Sequence, residues 1–218
     1  MESENLTRVE YEAHIANGTF RLAFVGMSNV GKSYRSKVLR DQSGFMWYQV
    51  DEEILKSFGF TSMEEISRWL GYPSGKGYPE REKKYLAAEG KYTKVDFVHT
   101  GGKNLVFDTT GSVIYLQAST LAWLKENCLI VNVVVEEAAI DKMMKKFVEN
   151  PKPVTWNGAF IPKKGETEKQ TLERCYPILL SDRLKRYRAL SHINISAETL
   201  HDKSGRETLD IIKSYLRA

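Results

Sequence analysis

The residues of this sequence with the most evident chemistry lie in one glycine-bounded segment, FVGMSNVGKSY at positions 24–34. The segment fits the phosphate-binding pattern G-x-x-x-x-G-K-S. In such a loop the backbone N–H groups hold a phosphate, the lysine neutralises the β- and γ-phosphates, and the serine hydroxyl binds Mg²⁺. We therefore predict a nucleotide site formed by the loop and the residue that follows it: Gly26, Met27, Ser28, Asn29, Val30, Gly31, Lys32, Ser33 and Tyr34.

A carboxylate ends the apolar segment LVFDTTG at Asp108. If that segment is a strand of the same parallel sheet, its carboxyl end lies beside the phosphate loop, where ligands of such sheets bind. We expect Asp108 and Ser33 to hold the Mg²⁺ of a nucleotide. The alternative is that Asp108 only caps a helix or stabilises a turn.

The elements that must position these residues alternate along the chain. Short apolar or β-branched segments predict strands at 19–26, 45–50, 103–111, 128–135 and 192–196, and helical patterns lie between them. We predict an α/β fold, a doubly wound, five-stranded parallel sheet with helices on both faces. The 218 residues suffice for a single domain over 20–218, preceded by an N-terminal arm or short helix over 1–19.

Composition excludes several classes of protein. The net charge is +4, but basic and acidic residues are interspersed, so we expect no nucleic-acid partner. The longest apolar run, CLIVNVVV, is too short to span a membrane. Cys128 and Cys175 are too few for a disulfide framework, and we expect both to be core residues of a protein in a reducing compartment, the cytoplasm.

Two nucleotide chemistries fit these elements. The phosphate loop, DTTG at 108–111 and ISA at 195–197 together also match a GTPase. Two observations favour an ATP-dependent kinase instead. No Asn/Thr-Lys-x-Asp guanine-reading element follows LIVNVVV, and the long interval from Lys32 to Asp108 contains predicted helices where a switch loop would lie. A nucleotide-binding protein that has lost catalysis remains a third possibility.

Over residues 20–217 the sequence resembles the shikimate kinase family of small-molecule P-loop kinases. The likeness is carried by four segments: VGMSNVGKS, VDEEILKSFG, KFVENPKPV, and DRLKRYRAL followed by the predicted strand HINIS. The resemblance implies a P-loop kinase fold, ATP and Mg²⁺ as cofactors, and transfer of phosphate to a hydroxyl of a small metabolite that bears a carboxylate. Shikimate is the leading candidate for that acceptor.

The resemblance also implies roles for individual residues. Asp51 would be the acid beside the acceptor hydroxyl, and Arg183 would bind the substrate carboxylate, although an arginine on so basic a helix could equally be solvated. Lys152 would act on the transferring phosphate, and Lys145 or Lys146 would lie against the adenine. The polar, Pro- and Gly-containing segment 150–168 is long for a loop and is predicted to be the lid. Its Trp156 could cover the substrate, but packing in the interior is the preferred interpretation.

The sequence departs from the family where the acceptor would bind. Gln49 replaces an acid two residues before Asp51, and Thr109, Thr110 and Gly111 stand where the family has three glycines. We still expect these three residues to contact the substrate. A second substrate arginine is replaced by Leu86, unless a shifted helix lets Arg81 serve. The acceptor's identity, the pathway and the oligomeric state are left open by the sequence.

Overall fold

The computed structural model describes residues 6–94, 99–135, 143, 145, 147 and 154–218. Its centre is a five-stranded, all-parallel sheet in the order β2-β3-β1-β4-β5. The strands are β1 (Arg21–Val25), β2 (Met46–Gln49), β3 (Leu105–Asp108), β4 (Leu129–Val134) and β5 (Ile193–Ser196). The predicted fold class is confirmed.

Strand composition follows position in the sheet. The three inner strands β1, β3 and β4 are buried along nearly their whole length, as expected for predominantly apolar sequences without polar–apolar alternation when helices cover both faces. The edge strands β2 and β5 keep partly exposed positions. The sequence pattern therefore distinguishes the inner strands from the edges.

Helices connect the strands and pack around the sheet. They are α1 (Arg8–Ala16), α2 (Lys32–Ser43), α3 (Val50–Phe58), α4 (Met63–Leu70), α5 (Tyr78–Thr93), α6 (Ala118–Asn127), α7 (Glu168–Leu190), α8 (Ala197–Leu200) and α9 (Gly205–Ser214). A 3₁₀ turn, Val113–Tyr115, follows β3. Several helices begin at the side-chain caps that favour helix initiation: Ser62 for α4, Thr167 with Gln170 for α7, and Ser204 with Glu207 for α9.

Each strand is shorter than the segment predicted for it, and two helices begin at informative positions. Val50, predicted to end the second strand, is the first residue of α3. Helix α5 begins at Tyr78, inside the Pro- and Gly-containing stretch YPSGKGYPE at 72–80. Pro79 is compatible with this start, because a proline in the first helical turn removes no intrahelical hydrogen bond.

The N-terminal short helix α1 docks on the C-terminal end of the chain. The Arg8 side chain donates to the carbonyls of Ser214 and Leu216, each at 3.1 Å, and Thr7 forms a β-bridge with Arg217. Tyr11 is buried and donates to the carbonyl of Leu209. These contacts join the helix to the domain instead of leaving it as a free arm.

A second, smaller apolar cluster lies beside the main core. It consists of Leu70, Tyr78, Phe147, Trp156, Leu172, Cys175 and Leu179. Trp156 is only 1% exposed, which confirms that it packs in the interior. Both cysteines are buried and unpaired, also as predicted. None of the described helices is long and apolar enough to cross a membrane.

Candidate active site

Strand register brings the predicted site residues to one edge of the sheet. Asp108, the last residue of β3, lies opposite Phe24 of β1 on one side and Gln49 of β2 on the other. Gly26 follows Phe24 by two residues, and Asp51 follows Gln49 by two. The phosphate loop, Asp108 and Asp51 therefore meet at the carboxyl ends of three neighbouring strands, where ligands of parallel α/β sheets bind.

The phosphate loop has the backbone that its sequence predicts. Gly26 and Gly31 adopt positive φ angles of 138° and 98°, and Asn29 lies in the left-handed region at 63°. A Cβ atom on Gly26 would lie 2.8 Å from the carbonyl oxygen of Val133, so only glycine fits there. The loop leads directly into α2, whose N-terminus favours an anion through its free N–H groups and its dipole.

Lys32 is held inside the loop. Its ammonium donates to the carbonyls of Gly26 and Met27, each at 2.9 Å. Burial lowers the pKa of Lys32 to about 8, while Asp108 and Asp51 act in the opposite direction. The side chain is thus a buried cation surrounded by acceptors, suited to contact phosphate oxygens.

Asp108 is buried at the end of β3, next to the start of α2. Burial raises the pKa of Asp108, while the Ser33 hydroxyl, Lys32 and Trp47 lower it. In the described part of the chain, no three His, Cys, Asp or Glu side chains lie close enough together to hold a metal ion. A carboxylate and a hydroxyl nevertheless fit Mg²⁺, because this ion usually takes one or two protein oxygens and completes its shell with phosphate and water.

Asp51 is the second residue of α3 and faces the same crevice. Its Oδ1 atom is buried and has no hydrogen-bond partner among the described residues. Burial and the nearby charge of Asp108 raise the pKa of Asp51 to about 6, although Lys32 lowers it. A buried carboxylate oxygen without a partner is costly, and such groups are common at functional sites.

A cavity of about 180 Å³ lies between the phosphate loop, α3, α4, α5 and α7. It is lined by Ser28, Asp51, Met63, Ile66, Ser67, Leu70, Tyr85, Thr110, Gly111, Ser112, Val154, Thr155 and Arg183. One wall is apolar, and the polar groups converge from the strand ends and from α7. The lining therefore includes four of the six residues predicted to bind the substrate.

Arg183 is buried in the wall of this cavity and is only 6% exposed, so the interpretation as a solvated arginine is wrong. Its Nη2 atom donates to the carbonyl of Thr155 at 2.6 Å, and the guanidinium lies 5.5 Å from the ring centroid of Tyr115. The Nε atom is buried and lacks a partner in the part of the chain that the structure describes. One turn further along α7, the Tyr187 hydroxyl donates to the carbonyl of Gly111 at 2.5 Å.

The turn after β3 is fixed by its hydroxyl groups. Thr109 Oγ1 donates to the carbonyl of Phe24 at 2.7 Å and so joins the turn to the strand below the phosphate loop. The hydroxyls of Thr110 and Ser112 both donate to the carboxylate of Glu89. The hydroxyls of both threonines in this turn thus bind the protein itself, and Gly111, which follows them, lines the cavity together with Thr110.

Sequence reasoning missed Glu89, a fully buried carboxylate in the middle of α5. Burial raises the pKa of Glu89 to about 7, and the hydroxyls of Ser112 and Thr110 lower it. A signal was available, because Tyr85, Glu89 and Thr93 recur every fourth residue and therefore share one helix face. An acid within that otherwise inward-facing row is a candidate for a buried, partnered carboxylate.

Other predicted residues lie elsewhere. Arg81 donates to the carbonyls of Leu70 and Lys76, each at 3.0 Å, and is not among the described residues that line the cavity. Leu86 lines a separate hollow of about 620 Å³. Lys145 is exposed on helical backbone, and Lys152 lies outside the described residues.

At the start of α2, Tyr34 is 56% exposed, and the guanidinium of Arg35 lies 4.7 Å from its ring centroid. Its position next to Ser33 leaves the ring accessible beside the phosphate loop.

Part of the predicted lid closes one side of the cavity. Val154 and Thr155 contribute to its lining. The Tyr78 hydroxyl donates to the carbonyl of Val154 at 2.7 Å, and Glu82 accepts from the backbone N–H groups of Trp156 at 2.5 Å and Asn157 at 2.9 Å. The described part of this segment is therefore anchored to α5, with its backbone turned toward Arg183.

Among the known proteins compared with this chain, only solved structures match it. No family model and no curated protein sequence matches the chain. The shikimate kinase from Acinetobacter baumannii, solved in complex with shikimate, aligns with a TM-score of 0.56 at 21% identity, covering 94% of this chain and 97% of that one.

Two further solved structures align over similar lengths. The shikimate kinase from Aquifex aeolicus aligns with a TM-score of 0.53 at 19% identity, over 90% of this chain and 95% of that one. The shikimate kinase from Bacteroides thetaiotaomicron aligns with a TM-score of 0.52 at 16% identity, over 89% and 97%. The chain therefore has the shikimate kinase-like P-loop kinase fold.

Proposed function

We propose that this chain is an ATP-dependent small-molecule kinase, which transfers the γ-phosphoryl group of Mg-ATP to a hydroxyl of a small acceptor bearing a carboxylate. The observation that carries the proposal is a pair of buried polar atoms, Asp51 Oδ1 and Arg183 Nε, which have no partner among the described residues and belong to side chains lining one cavity beside the phosphate loop. A proton acceptor and a carboxylate-binding cation are thus available together. Shikimate remains the leading candidate for the acceptor.

The phosphate loop would hold the nucleotide. Its N–H groups and the α2 N-terminus bind the phosphates, and Lys32 neutralises charge at the oxygen that bridges the β- and γ-phosphates. Ser33 and Asp108 would hold Mg²⁺, which when bound supplies further neutralisation of phosphate charge. The closeness of Ser33 to Asp108, whose carboxylate accepts from the Ser33 hydroxyl, supports this assignment.

Arg183 would fix the acceptor. A guanidinium binds a carboxylate through two parallel hydrogen bonds, and burial makes each bond stronger than it would be at the surface. Because Nη2 already donates to Thr155, the Nε atom and the remaining N–H groups are the ones that can bind the acceptor. The aliphatic wall of the cavity would contact the acceptor's carbon skeleton.

Asp51 would orient the acceptor hydroxyl and take its proton as the new bond to phosphorus forms. A general base works best when its pKa lies near the operating pH, and the pKa of Asp51 is raised to about 6. At neutral pH the carboxylate is mostly ionised and still basic enough to accept a proton. Its Oδ1 atom has no partner in the described part of the chain that would compete for that hydroxyl.

The lid would exclude water, which otherwise competes with the acceptor hydroxyl. Val154 and Thr155 already line the cavity, and Lys152, just before them in the sequence, would reach the transferring phosphate. Lys145 would contact the adenine. The protein would act in the cytoplasm on a freely diffusing metabolite.

One experiment tests the proposal against its rivals. Wild-type protein is incubated with Mg-ATP or Mg-GTP and shikimate or other small hydroxy acids, and phosphorylated acceptor is measured directly. We expect acceptor-dependent transfer from ATP. Thermal protection by GDP far above that by ADP, with no transfer, would indicate a GTPase. Equal binding of ATP by the wild type and Asp51→Asn, with no transfer to any acceptor, would indicate a nucleotide-binding protein without catalysis.

A further inference from the structure

Glu89 has no part in the proposed phosphoryl transfer, yet it is the most deeply buried carboxylate around the acceptor cavity. The residue is 0% exposed. Its two carboxylate oxygens accept from different hydroxyls: Oε1 from Thr110 and Oε2 from Ser112, the latter at 2.6 Å. A buried acid whose two oxygens both accept hydrogen bonds restricts the conformation of the segment that contains Thr110 and Ser112.

The hydroxyl of Thr110 forms two hydrogen bonds that fix its orientation. It donates its hydrogen to Glu89 and accepts a hydrogen bond from the backbone N–H of Ser112 at 3.1 Å. The conformation of the 110–112 turn therefore depends on an acceptor at Glu89. Without that acceptor, two buried hydroxyls would need other partners.

The same turn lies next to both the phosphate loop and Arg183. A Cβ atom added to Gly111 would lie 3.0 Å from the Ser28 hydroxyl in the phosphate loop and 3.7 Å from Nη1 of Arg183. The Gly111 carbonyl also accepts from Tyr187. A small shift of the turn would change the space between the phosphate loop and Arg183, where the acceptor binds.

We propose that Glu89 is a positioning residue for the acceptor: by holding the hydroxyls of Thr110 and Ser112, it keeps the 110–112 turn in place and so sets the KM for the acceptor. The inference rests on the proposed function, because it concerns the acceptor side of that same site. It assigns to Glu89 no contact with the nucleotide or with the reacting atoms.

The charge state of Glu89 gives this role a pH dependence. The titratable groups that act on it are Tyr85 from α5, Asp51 from α3, and Arg183 and Tyr187 from α7. The ionised carboxylate accepts both hydroxyl hydrogens, whereas the protonated acid must donate at one oxygen and disturbs one of the two bonds. Because burial raises the pKa of Glu89 to about 7, the acceptor KM should rise as the pH falls through 7.

Glu89→Gln tests the proposal with almost no change of volume. Glutamine keeps one accepting oxygen but replaces the other with an NH₂ group, which cannot accept a hydroxyl hydrogen. With shikimate, or another hydroxy acid that the wild type phosphorylates, we expect the acceptor KM to rise about tenfold and the ATP KM to stay unchanged. The variation of acceptor KM around pH 7 should disappear. Glu80→Gln, an exposed acid on the same helix, is the matched control and should behave as the wild type.

Amide hydrogen exchange supplies a readout that needs no catalysis. In Glu89→Gln, exchange at the Ser112 amide should speed up, while exchange at the phosphate loop should not. Ser112→Ala removes one donor and leaves Glu89 in place, so it should reproduce part of the effect if Glu89→Gln folds poorly.

The outcomes separate the two proposals. Wild-type exchange at Ser112 and an unchanged acceptor KM in Glu89→Gln would overturn the positioning role. An equal rise of ATP KM and acceptor KM would also overturn it, since a general loss of structure moves both. Faster exchange at Ser112 in a protein whose wild type phosphorylates no hydroxy acid would support the bracing of the turn and reject the kinase proposal.

Discussion

The two halves of the candidate site are built in different ways. The phosphate half is one continuous segment, in which backbone angles at Gly26 and Gly31 and two carbonyls that bind Lys32 create the geometry. The acceptor half is assembled from side chains of α3, α5 and α7 and from the turn after β3, and Asp51 and Arg183 are far apart in sequence. The phosphate half depends on the backbone of consecutive residues and could bind the phosphates of any nucleotide. The acceptor half depends on side chains from several elements and would select one class of acceptor. Substitutions in the two halves should therefore change different kinetic constants.

The largest effect should come from the phosphate half. Lys32→Ala removes the buried cation of the loop, and we expect phosphoryl transfer to fall by about 10³-fold or more, since charge stabilisation in the transition state is lost. Lys37→Ala on the same helix is the control, because its ammonium is exposed and pairs with Asp41, one turn along that helix. Steady-state kcat measures the effect. Transfer that survives Lys32→Ala would remove the loop lysine from the mechanism.

Asp51→Asn should be nearly as severe but should leave the phosphate half intact. The amide keeps the shape and cannot accept the proton, so kcat should fall by roughly 10²–10⁴-fold while ATP affinity is retained. Calorimetry measures the affinity for ATP, and product formation measures kcat, so the two effects can be separated. Glu52→Gln, at the exposed neighbouring position, should be neutral. A parallel loss of ATP binding in Asp51→Asn would contradict the division between the halves.

Arg183→Lys should act on the acceptor half alone. A lysine keeps the charge but cannot form two parallel bonds to a carboxylate, so we expect the acceptor KM to rise about 10- to 100-fold with little change in the ATP KM. Arg188→Lys, an exposed position on the same helix, serves as the control. An acceptor KM insensitive to Arg183→Lys would exclude a carboxylate at this position.

The smallest effect is the pH dependence of kcat. The pKa of Asp51 is raised to about 6, and the ionised form is the base. We therefore expect kcat to reach its maximum above that pH and to fall about tenfold for each pH unit below it. The raised pKa also means that ionising Asp51 destabilises the fold. Asp51→Asn should therefore be at least as stable as the wild type at pH 8, which a thermal unfolding curve measures. A kcat that is level from pH 7 to pH 5 would show that Asp51 is not the base.

Much of the fold follows from local pattern. Apolar runs predicted the five strands in their order along the chain, because strand formation depends on neighbouring residues. The phosphate loop was visible for the same reason. Its glycine angles and its lysine are properties of eight consecutive residues, which need only a strand before them and a helix after them.

The acceptor half could be predicted only in outline. Asp51 and the 109–111 turn follow strands, so their place at the sheet edge was foreseeable. The burial of Arg183 was not, because a helix with so many basic residues gives no sign of which arginine points inward. Arg81 and Glu89 show the same difficulty: the first binds carbonyls of its own neighbourhood, and the second lies under the turn that the threonines form.

The sequence by itself determined a nucleotide-type phosphate loop, a parallel α/β sheet and an acid after the second strand. Tertiary structure decided how the side chains that line the cavity are placed: Asp51 and Arg183 each have a buried atom without a partner among the described residues, and Thr110 and Ser112 are bound to Glu89. The physical reason is range. Backbone conformation and strand formation depend on residues next to each other. Burial and hydrogen bonding of a side chain depend instead on elements that the chain brings together from distant positions, as with Asp51 and Arg183, which lie 132 positions apart.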